Sequence, residues 1–306
     1  MTARQLAVPF LFLLLAVQPL DAASERPPYG TEAVVRRIDI GGRFLSIGCL
    51  GQGRPTVILD HAIGGSSRDW RHVQRGLAAT TRACSYDRAG YGHSDPGPGP
   101  RTSSRIASEL RTLLVRAEMP PPYLLAGHSF GGYNLRAFAN LFPDETAGLV
   151  LVDSPHEEQA DRFFQIDVMR RLDPHGSLQY LWDSEILGSL SAIDLKPFAR
   201  LLGARSASMQ AIFSEIAAFA ESSRELRSYP NRDVPVVVIA HGRRLLAGGA
   251  LSDQLEDQWL SLQKELASRF KHHRFIVAEH SGHMIPLEQP GLVIDAIKRL
   301  ILEHRP

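Results

Sequence analysis

The sequence predicts an α/β protein with a mostly parallel, eight-stranded sheet that carries helices on both faces. Short strand-like runs such as residues 56–59 and 123–127 are apolar throughout, and they alternate with amphipathic helical stretches. Strands without a polar face are buried on both sides, which is typical of parallel sheets covered by helices. The chain has 306 residues, which is enough to bury one large core of this class.

The predicted elements follow one another in a regular order. Residues 34–40 and 44–49, joined by Gly41-Gly42, predict a hairpin that forms an antiparallel edge. The remaining strands are predicted at residues 56–59, 83–86, 123–127, 148–152, 234–240 and 274–277, and the helices at 67–79, 103–117, 131–141, 253–269 and 290–303.

One segment, residues 154–232, breaks this alternation. It contains helical stretches such as residues 161–171 and 209–227, but no convincing strand pattern. A connection of this length is far too long for a loop within a compact domain. We therefore predict a helical lid, inserted after the sixth strand, that divides the core domain into residues 31–153 and 233–306.

The N-terminal residues predict export. Arg4 precedes a nearly unbroken apolar run over residues 6–17, and small residues follow at 22–23. This pattern is typical of a secretory signal peptide, here residues 1–23, which a linker at 24–30 follows. The run is too short to cross about 30 Å of hydrocarbon comfortably. Because Asp21 makes the cleavage site imperfect, an uncleaved anchor that tethers the protein to a membrane is the alternative to a periplasmic or secreted product.

Composition gives little support to several other classes of protein. The formal net charge is +1 and the chain has no run of Lys or Arg, so a nucleic-acid partner is not expected. His272 and His273 are adjacent at a helix end, where neighbours point apart, and no nucleotide-binding motif occurs, so we predict no metal and no cofactor. Cys49 and Cys84 end strands that are predicted to be neighbours. A disulfide in an exported protein and two buried free thiols both remain open.

The most informative motif is G-x-S-x-G at residues 127–131 (GHSFG). It lies between a predicted strand and a predicted helix, so the chain must turn sharply at Ser129. Such a turn holds the serine hydroxyl out at the top of the sheet, beside the positive end of the next helix. Ser129 is therefore the candidate nucleophile, and a glycine-rich turn that happens to contain a serine is the alternative.

A serine hydroxyl is a poor nucleophile without a general base. His283 follows the flexible Gly282 in the loop after the last predicted strand, and this loop returns to the same end of the sheet. His280 is a nearby competitor. We predict His283 as the base, and a surface histidine is the alternative.

A carboxylate should orient the imidazole and stabilise its charged form. No acid directly follows the strand at 234–240, because residues 241–246 read HGRRLL. Asp153 ends the preceding strand, close to both Ser129 and the histidine loop, and it is our candidate acid. The alternative role for Asp153 is that of a helix or turn cap at the start of the lid. The alternative acids are Asp253, Glu256 and Asp257.

The oxyanion of an acyl-transfer reaction needs backbone donors that are already in place. One candidate is the amide of Phe130, which follows the nucleophile at the start of a helix. The other is the amide of Ile63, in the loop at residues 60–66 (DHAIGGS), whose glycines free the backbone to approach a substrate. A simple glycine turn is the alternative for this loop.

Together these motifs resemble the α/β-hydrolase superfamily, in its lid-bearing serine hydrolase branch. The resemblance covers residues 34–304 and includes GHSFGG, the loop at 61–66 followed by Asp69-Trp70, and Gly282-His283 before Pro286 and the run EQP. Residues 86–95 (YDRAGYGHSD) also look like the family signature YDR-x-G-x-G-x-SD.

The resemblance implies a triad of Ser129, His283 and an acid, with an oxyanion hole of backbone amides. It implies structural roles for Asp87, Arg88 and Ser94.

The sequence departs from the family pattern at two positions. Ala62 stands where the family usually has glycine, and the acid that usually follows the seventh strand is missing. Some lid-bearing relatives place the acid after the sixth strand, which matches Asp153. Epoxide hydrolase and haloalkane dehalogenase relatives have an aspartate nucleophile, so Ser129 argues against those activities.

These observations predict a serine hydrolase that cleaves a carboxylic ester, or a related acyl bond, of a small to medium substrate. Apolar residues in the predicted lid favour an apolar-leaning substrate. Other chemistries on the same fold are the alternatives: a carbon–carbon bond hydrolase, an aminopeptidase or a perhydrolase. A non-catalytic ligand-binding protein is the alternative from a different class.

Overall fold

The computed structural model describes residues 33–165, 206–230, 232–245 and 249–303. The predicted signal peptide and linker, residues 1–30, lie outside these ranges. Among the described residues, no helix combines the length and apolar character that a membrane crossing requires.

Eight strands form one sheet in the described chain. They are β1 (Val34–Asp39), β2 (Phe44–Leu50), β3 (Thr56–Asp60), β4 (Ala83–Asp87), β5 (Tyr123–His128), β6 (Thr146–Val152), β7 (Val236–His241) and β8 (His273–Ala278). Their spatial order is β1-β2-β4-β3-β5-β6-β7-β8. The pairs β1–β2 and β2–β4 are antiparallel, and all later pairs are parallel. The predicted mostly parallel sheet with an antiparallel edge is confirmed.

Helices outside the β6–β7 connection cover both faces of this sheet. They are α1 (Arg71–Leu77), α2 (Ser103–Arg116), α3 (Phe130–Leu141), α7 (Ala250–Ser268), α8 (Ile285–Glu288) and α9 (Pro290–Glu303). The described helices of the connection are α4 (Gln159–Phe164), α5 (Ser206–Ala217) and α6 (Phe219–Ser228). Alternate residues of one strand enter opposite cores: Ile58 packs with α2 and α3, whereas Val57 and Leu59 pack with α1 and α9. This two-sided burial explains the continuous apolar runs of the strands.

Helix boundaries differ from the prediction mainly at the first helix. The predicted helix at 67–79 is a 3₁₀ turn, Ser67–Trp70, which α1 follows directly. Ser66 accepts a hydrogen bond from the backbone of this turn, and the Asp69 side chain accepts one from the Ser66 backbone, so a capping box closes the start. The predicted helix at 290–303 coincides with α9.

The segment between β6 and β7 is helical where the structure describes it. Its helices are α4 (Gln159–Phe164), α5 (Ser206–Ala217) and α6 (Phe219–Ser228), and the described part contains no strand. Helix α6 packs against α2 and α3 of the core. The helix predicted at 161–171 begins earlier, at Gln159, and residues 166–205 lie outside the described chain. That this segment forms a lid stays a prediction.

The two cysteines form a disulfide. Cys49 on β2 and Cys84 on β4 occupy the same register position of the antiparallel pair, with their Cα atoms 4.1 Å apart. The sequence left a disulfide and two free thiols open, and the structure favours the disulfide.

Candidate active site

Three neighbouring parallel strands end in side chains that can do chemistry. Ser129 follows β5, Asp153 follows β6, and His241 is the last residue of β7. The Ser129 amide donates to the carbonyl of Val152 at 2.9 Å, and the Asp153 amide donates to that of Ile239 at 2.7 Å. The sheet ladder thus continues through Ser129 and Asp153. In open α/β sheets this carboxyl edge is where ligands bind.

The backbone at Ser129 is strained. Its φ is 53° and its ψ is −126°, a combination that a residue with a Cβ rarely adopts. A Cβ on Gly127 would lie 2.5 Å from the backbone of Gly131, and a Cβ on Gly131 would collide with the carbonyl of Asp60. Both glycines of the G-x-S-x-G motif therefore permit a close approach of backbone segments. The result is the sharp strand-to-helix turn that the motif predicts.

His283 lies in the loop between β8 and α8, and hydrogen bonds connect this loop to the turn at Ser129 and to the end of β7. The Nε2 of His128 donates to the carbonyl of His283 at 2.7 Å, and the centroids of the two rings are 4.7 Å apart. The amides of Gly242 and Arg243, just after β7, donate to the carbonyl of Ser281 at 3.2 and 2.9 Å. These contacts fix the backbone on both sides of Gly282.

His128 is a neutral donor in this arrangement. Burial, together with the neighbouring His283, lowers the pKa of His128 to about 3. A neutral imidazole carries one proton, so the contact with the His283 carbonyl places that proton on Nε2 of His128. His128 therefore anchors the histidine loop without adding a charge to the site.

The Asp153 carboxylate is fully buried and accepts several hydrogen bonds. The Nδ1 of His283 donates to its Oδ2 at 2.6 Å, and the indole N–H of Trp259 on α7 donates to its Oδ1 at 3.0 Å. The backbone amide of His241 also donates to Oδ1, at 3.0 Å. Burial alone would raise the pKa of Asp153, but the His241 and His283 rings outweigh it and hold that pKa well below its usual range.

The other three candidate acids have different surroundings. Asp253 forms an ion pair with Arg244, and Asp257 is exposed. Glu256 contacts His241, with 2.9 Å between its Oε2 and the imidazole Nε2. Of the four acids weighed from the sequence, Asp153 is the one that hydrogen-bonds His283. The competing histidine, His280, is exposed.

The loop that carries Ile63 is held by a buried guanidinium. Arg88 donates to the carbonyl of His61 at 2.5 Å and to that of Ala62 at 3.1 Å. The peptide between Ala62 and Ile63 is planar and trans, so its N–H points opposite to its C=O. Because the Ala62 carbonyl faces Arg88, the Ile63 amide faces away from Arg88. This loop also packs against the start of α3, because a Cβ on Gly131 would collide with the carbonyls of Asp60 and His61.

The amide of Phe130 is also available at this edge. Phe130 is the first residue of α3, and the first amides of a helix have no acceptor within it. The residue itself is fully buried, and its ring stacks on Phe219 of α6, with the centroids 5.9 Å apart. The helix start is thus fixed by packing, and its N-terminal dipole favours negative charge.

The structure also agrees with structural roles for the YDR-x-G-x-G-x-SD residues. Asp87 accepts from the amides of Ser67 and His93, at 2.9 and 3.1 Å. Ser94 accepts from the Ser46 amide at 2.8 Å, and its hydroxyl donates to the Asp87 carbonyl at 2.6 Å. These contacts hold loops at the top of the sheet.

The sequence alone did not single out several of these residues. His241 and Trp259 reach Asp153 from another strand and from α7, and Glu215 on α5 pairs with Arg88 at 2.7 Å from 127 residues away. The available signal for His241 was its position at the end of a buried strand, where the expected acid is missing. Glu215 has no local signal, because only packing brings α5 to Arg88.

The chain is similar to a known protein family and to several curated proteins. The model of the "Alpha/beta hydrolase family" matches residues 57–296, which span the strands from β3 to β8 and the first half of α9. An "AB hydrolase superfamily protein" from Gibberella zeae is 26% identical over 281 residues, covering 81% of this chain and 86% of that protein. A probable transporter from Hormonema carpetanum, efuK, is 34% identical over 109 residues, but these are 34% of this chain and 16% of that protein.

Solved structures show the same fold at low identity. A thermophilic esterase from Thermogutta terrifontis is 20% identical with a TM-score of 0.55, covering 89% of this chain and 99% of that one. The epoxide hydrolase CorEH is 19% identical with a TM-score of 0.61, covering 90% and 100%. With the family match over residues 57–296 and this sheet order, the chain belongs to the alpha/beta hydrolase family.

Proposed function

We propose that this protein is a serine hydrolase that cleaves a carboxylic ester, or a related acyl bond, of a small to medium, apolar-leaning substrate. The observation that carries the proposal is the hydrogen bond of 2.6 Å between His283 Nδ1 and Asp153 Oδ2, at the sheet edge where Ser129 occupies a strained turn. This contact commits the Nδ1 proton of His283 to Asp153. The Nε2 of His283 then carries the lone pair that a general base requires.

The proposed reaction has two acyl-transfer steps. In the first, the Ser129 hydroxyl attacks the ester carbonyl while His283 accepts the hydroxyl proton. The amides of Phe130 and Ile63 stabilise the oxyanion, and the tetrahedral intermediate collapses to an acyl-serine as His283 protonates the leaving alcohol. In the second, His283 activates a water molecule that releases the carboxylic acid and regenerates Ser129. Asp153 stabilises the imidazolium in both steps.

The identity of the nucleophile favours an acyl bond over an epoxide. Attack of Ser129 on an epoxide would form an ether, and a histidine-activated water cannot cleave an ether as it cleaves an ester. An acyl-serine, in contrast, is itself an ester and is hydrolysed by the same base. The similarity to an epoxide hydrolase structure therefore supports the fold and not the reaction.

The test is covalent labelling of Ser129 by a fluorophosphonate, with the modified peptide mapped by mass spectrometry. We expect stoichiometric labelling at Ser129, little labelling in His283→Ala, and none at this position in Ser129→Ala. His280→Ala is the matched control, because it removes an exposed histidine from the same loop and should label normally.

An ester panel then defines the substrate. We expect hydrolysis of p-nitrophenyl esters, and near-loss of turnover in both Ser129→Ala and His283→Ala. A folded protein that is not labelled and does not turn over any ester would contradict the proposal, and would favour a non-catalytic binding protein. Labelling that is unchanged in His283→Ala would remove His283 from the role of base.

We also propose that the protein is exported. The support is the apolar N-terminal run together with the disulfide between Cys49 and Cys84, which persists in oxidising compartments. Cell fractionation, with N-terminal sequencing of the recovered protein, tests this. A mature N-terminus near residue 24 supports cleavage, and full-length protein in the membrane fraction supports the tethered alternative.

A further inference from the structure

Asp153 is bound by a second imidazole besides that of His283. The Nδ1 of His241 lies 2.7 Å from Oδ2 and 2.9 Å from Oδ1 of the Asp153 carboxylate. The His241 side chain is 3% exposed and the Asp153 side chain is fully buried. The two histidines therefore share one buried carboxylate, and both contact its Oδ2.

The other ring nitrogen of His241 meets a second carboxylate. Its Nε2 is 2.9 Å from Oε2 of Glu256, and the other oxygen of Glu256 accepts the amide of Leu245 at 2.8 Å. The His241 ring also stacks on Trp259, with centroids 5.8 Å apart and planes inclined by 17°. Ionised carboxylates only accept hydrogen bonds, so both nitrogens of His241 must donate. With Asp153 and Glu256 both ionised, this geometry fits the imidazolium form of His241.

We propose that His241, held as an imidazolium between Asp153 and Glu256, is a positioning residue of the hydrolytic site that fixes the Asp153 carboxylate and offsets part of its charge at His283. The proposal rests on the proposed function. It assigns to β7 a cation where the family pattern led us to look for the acid, and it places the acid on β6.

The electrostatic surroundings agree with a charged His241. Burial alone would lower the pKa of His241, but Asp153 and Glu256 outweigh burial and raise it to about 10. The groups that face His241 are Asp153 from β6, Glu256 and Trp259 from α7, and, across the shared carboxylate, His283.

The nearby arginines are engaged elsewhere. Arg243 pairs with Glu288 at 2.9 Å and Arg244 pairs with Asp253, and both arginine side chains are more than half exposed.

The consequence for catalysis concerns the charge that Asp153 presents to His283. The imidazolium of His241 lies against the same carboxylate and offsets part of its negative charge. Removal of that positive charge is therefore expected to move the acidic limb of the pH profile to higher pH. The fixed orientation of Asp153 supports the rate separately. The backbone amide of His241 and the indole of Trp259 both donate to Oδ1, which leaves Oδ2 facing His283.

The first experiment is the pH profile of kcat/KM for His241→Gln. Without the cation we expect the acidic limb to move to higher pH by about one unit, the size expected for a nearby partly screened charge. We expect the plateau to fall by about tenfold, less than the loss of about 10²–10⁴-fold typical of removed general-base assistance, because Asp153 and His283 both remain. Asp257→Asn is the matched control, because it removes an exposed charge from α7, the helix that carries Glu256. This variant should leave the acidic limb and the plateau unchanged. An acidic limb that does not move in His241→Gln would overturn the proposal, since a purely structural role predicts that result.

The second experiment measures the charge of His241 without relying on turnover. Nitrogen-15 NMR of the histidine rings, recorded in Ser129→Ala, should show both nitrogens of His241 protonated at pH 8. Glu256→Gln should bring the titration of His241 to lower pH, whereas Asp257→Asn should not. A neutral His241 at pH 8 would overturn this inference while leaving Ser129 labelling intact. Failure of labelling with a charged His241 would instead reject the proposed function.

Discussion

The buried ion cluster around Arg88 gives a quantitative prediction about stability. All five N–H groups of its guanidinium are used: two bond Glu215 at 2.7 Å, one bonds Asp60 at 2.6 Å, and two bond the carbonyls of the Ile63 loop. The side chains of Arg88, Asp60 and Glu215 are all fully buried. The cluster thus contains one cation shared by two carboxylates. Loss of the cation leaves both carboxylates without it, whereas loss of one carboxylate leaves the cation paired with the other.

Removal of the cation should therefore cost more than removal of Glu215. Arg88→Met leaves two buried carboxylates without their shared partner, which costs about 3–5 kcal/mol, and strips a donor from two carbonyls at about 1–3 kcal/mol each. Glu215→Gln leaves Arg88 paired with Asp60 and removes charge-assisted bonds worth about 1.5–3 kcal/mol. We expect the free energy of unfolding to fall by at least about 2 kcal/mol more in Arg88→Met.

Urea unfolding, followed by circular dichroism and tryptophan fluorescence, measures both losses. The control is Glu221→Gln, which breaks the exposed pair with Arg224 on α6 and should change stability by less than about 1 kcal/mol. Equal losses in Arg88→Met and Glu215→Gln, or losses no larger than that of the exposed control, would refute the reasoning. An insoluble Arg88→Met beside a folded Glu215→Gln agrees with the predicted order.

Three further predictions follow from the site. Asp153→Asn should keep the fold but lower kcat by about 10⁴-fold, because the imidazole loses its orienting acceptor; Asp253→Asn should not, and a reversed result in ester assays would reassign the acid. Because the pKa of His128 is lowered, its neutral form contributes stability that is fully present above about pH 6.5 and is lost as the pH falls towards 3, at about 1.4 kcal/mol per pH unit. Urea titrations at several pH values should show that His128→Asn lowers the pH dependence of the unfolding free energy by this amount, which corresponds to one proton fewer taken up on unfolding. Gly131→Ala should lower the melting temperature and the activity, since its Cβ meets the Asp60 carbonyl, whereas Gly291→Ala, which meets nothing within 4 Å, should be neutral; an unperturbed Gly131→Ala would contradict the close approach at the turn.

Features that depend on local pattern could be predicted from the sequence. The apolar strand runs and their spacing predicted the sheet, because residues buried on both faces must all be apolar. The G-x-S-x-G motif predicted the turn at Ser129, because only glycine tolerates the backbone approach on either side of it. The glycine-adjacent loop position predicted His283. Each of these signals lies within a few residues of the side chain that it concerns.

The identity of the carboxylate that contacts His283 depended on the tertiary structure. Asp153 was the preferred acid because it ends a strand near Ser129, but Asp253, Glu256 and Asp257 stayed open. The contact with His283 depends on the β6-β7-β8 order and register, which the local patterns do not contain. The contacts of His241 with Asp153 and Glu256, and the pairing of Arg88 with Glu215, likewise depend on packing. A pKa and an ion pair depend on groups that are close in space, and here those groups are 15 to 130 residues apart in the chain.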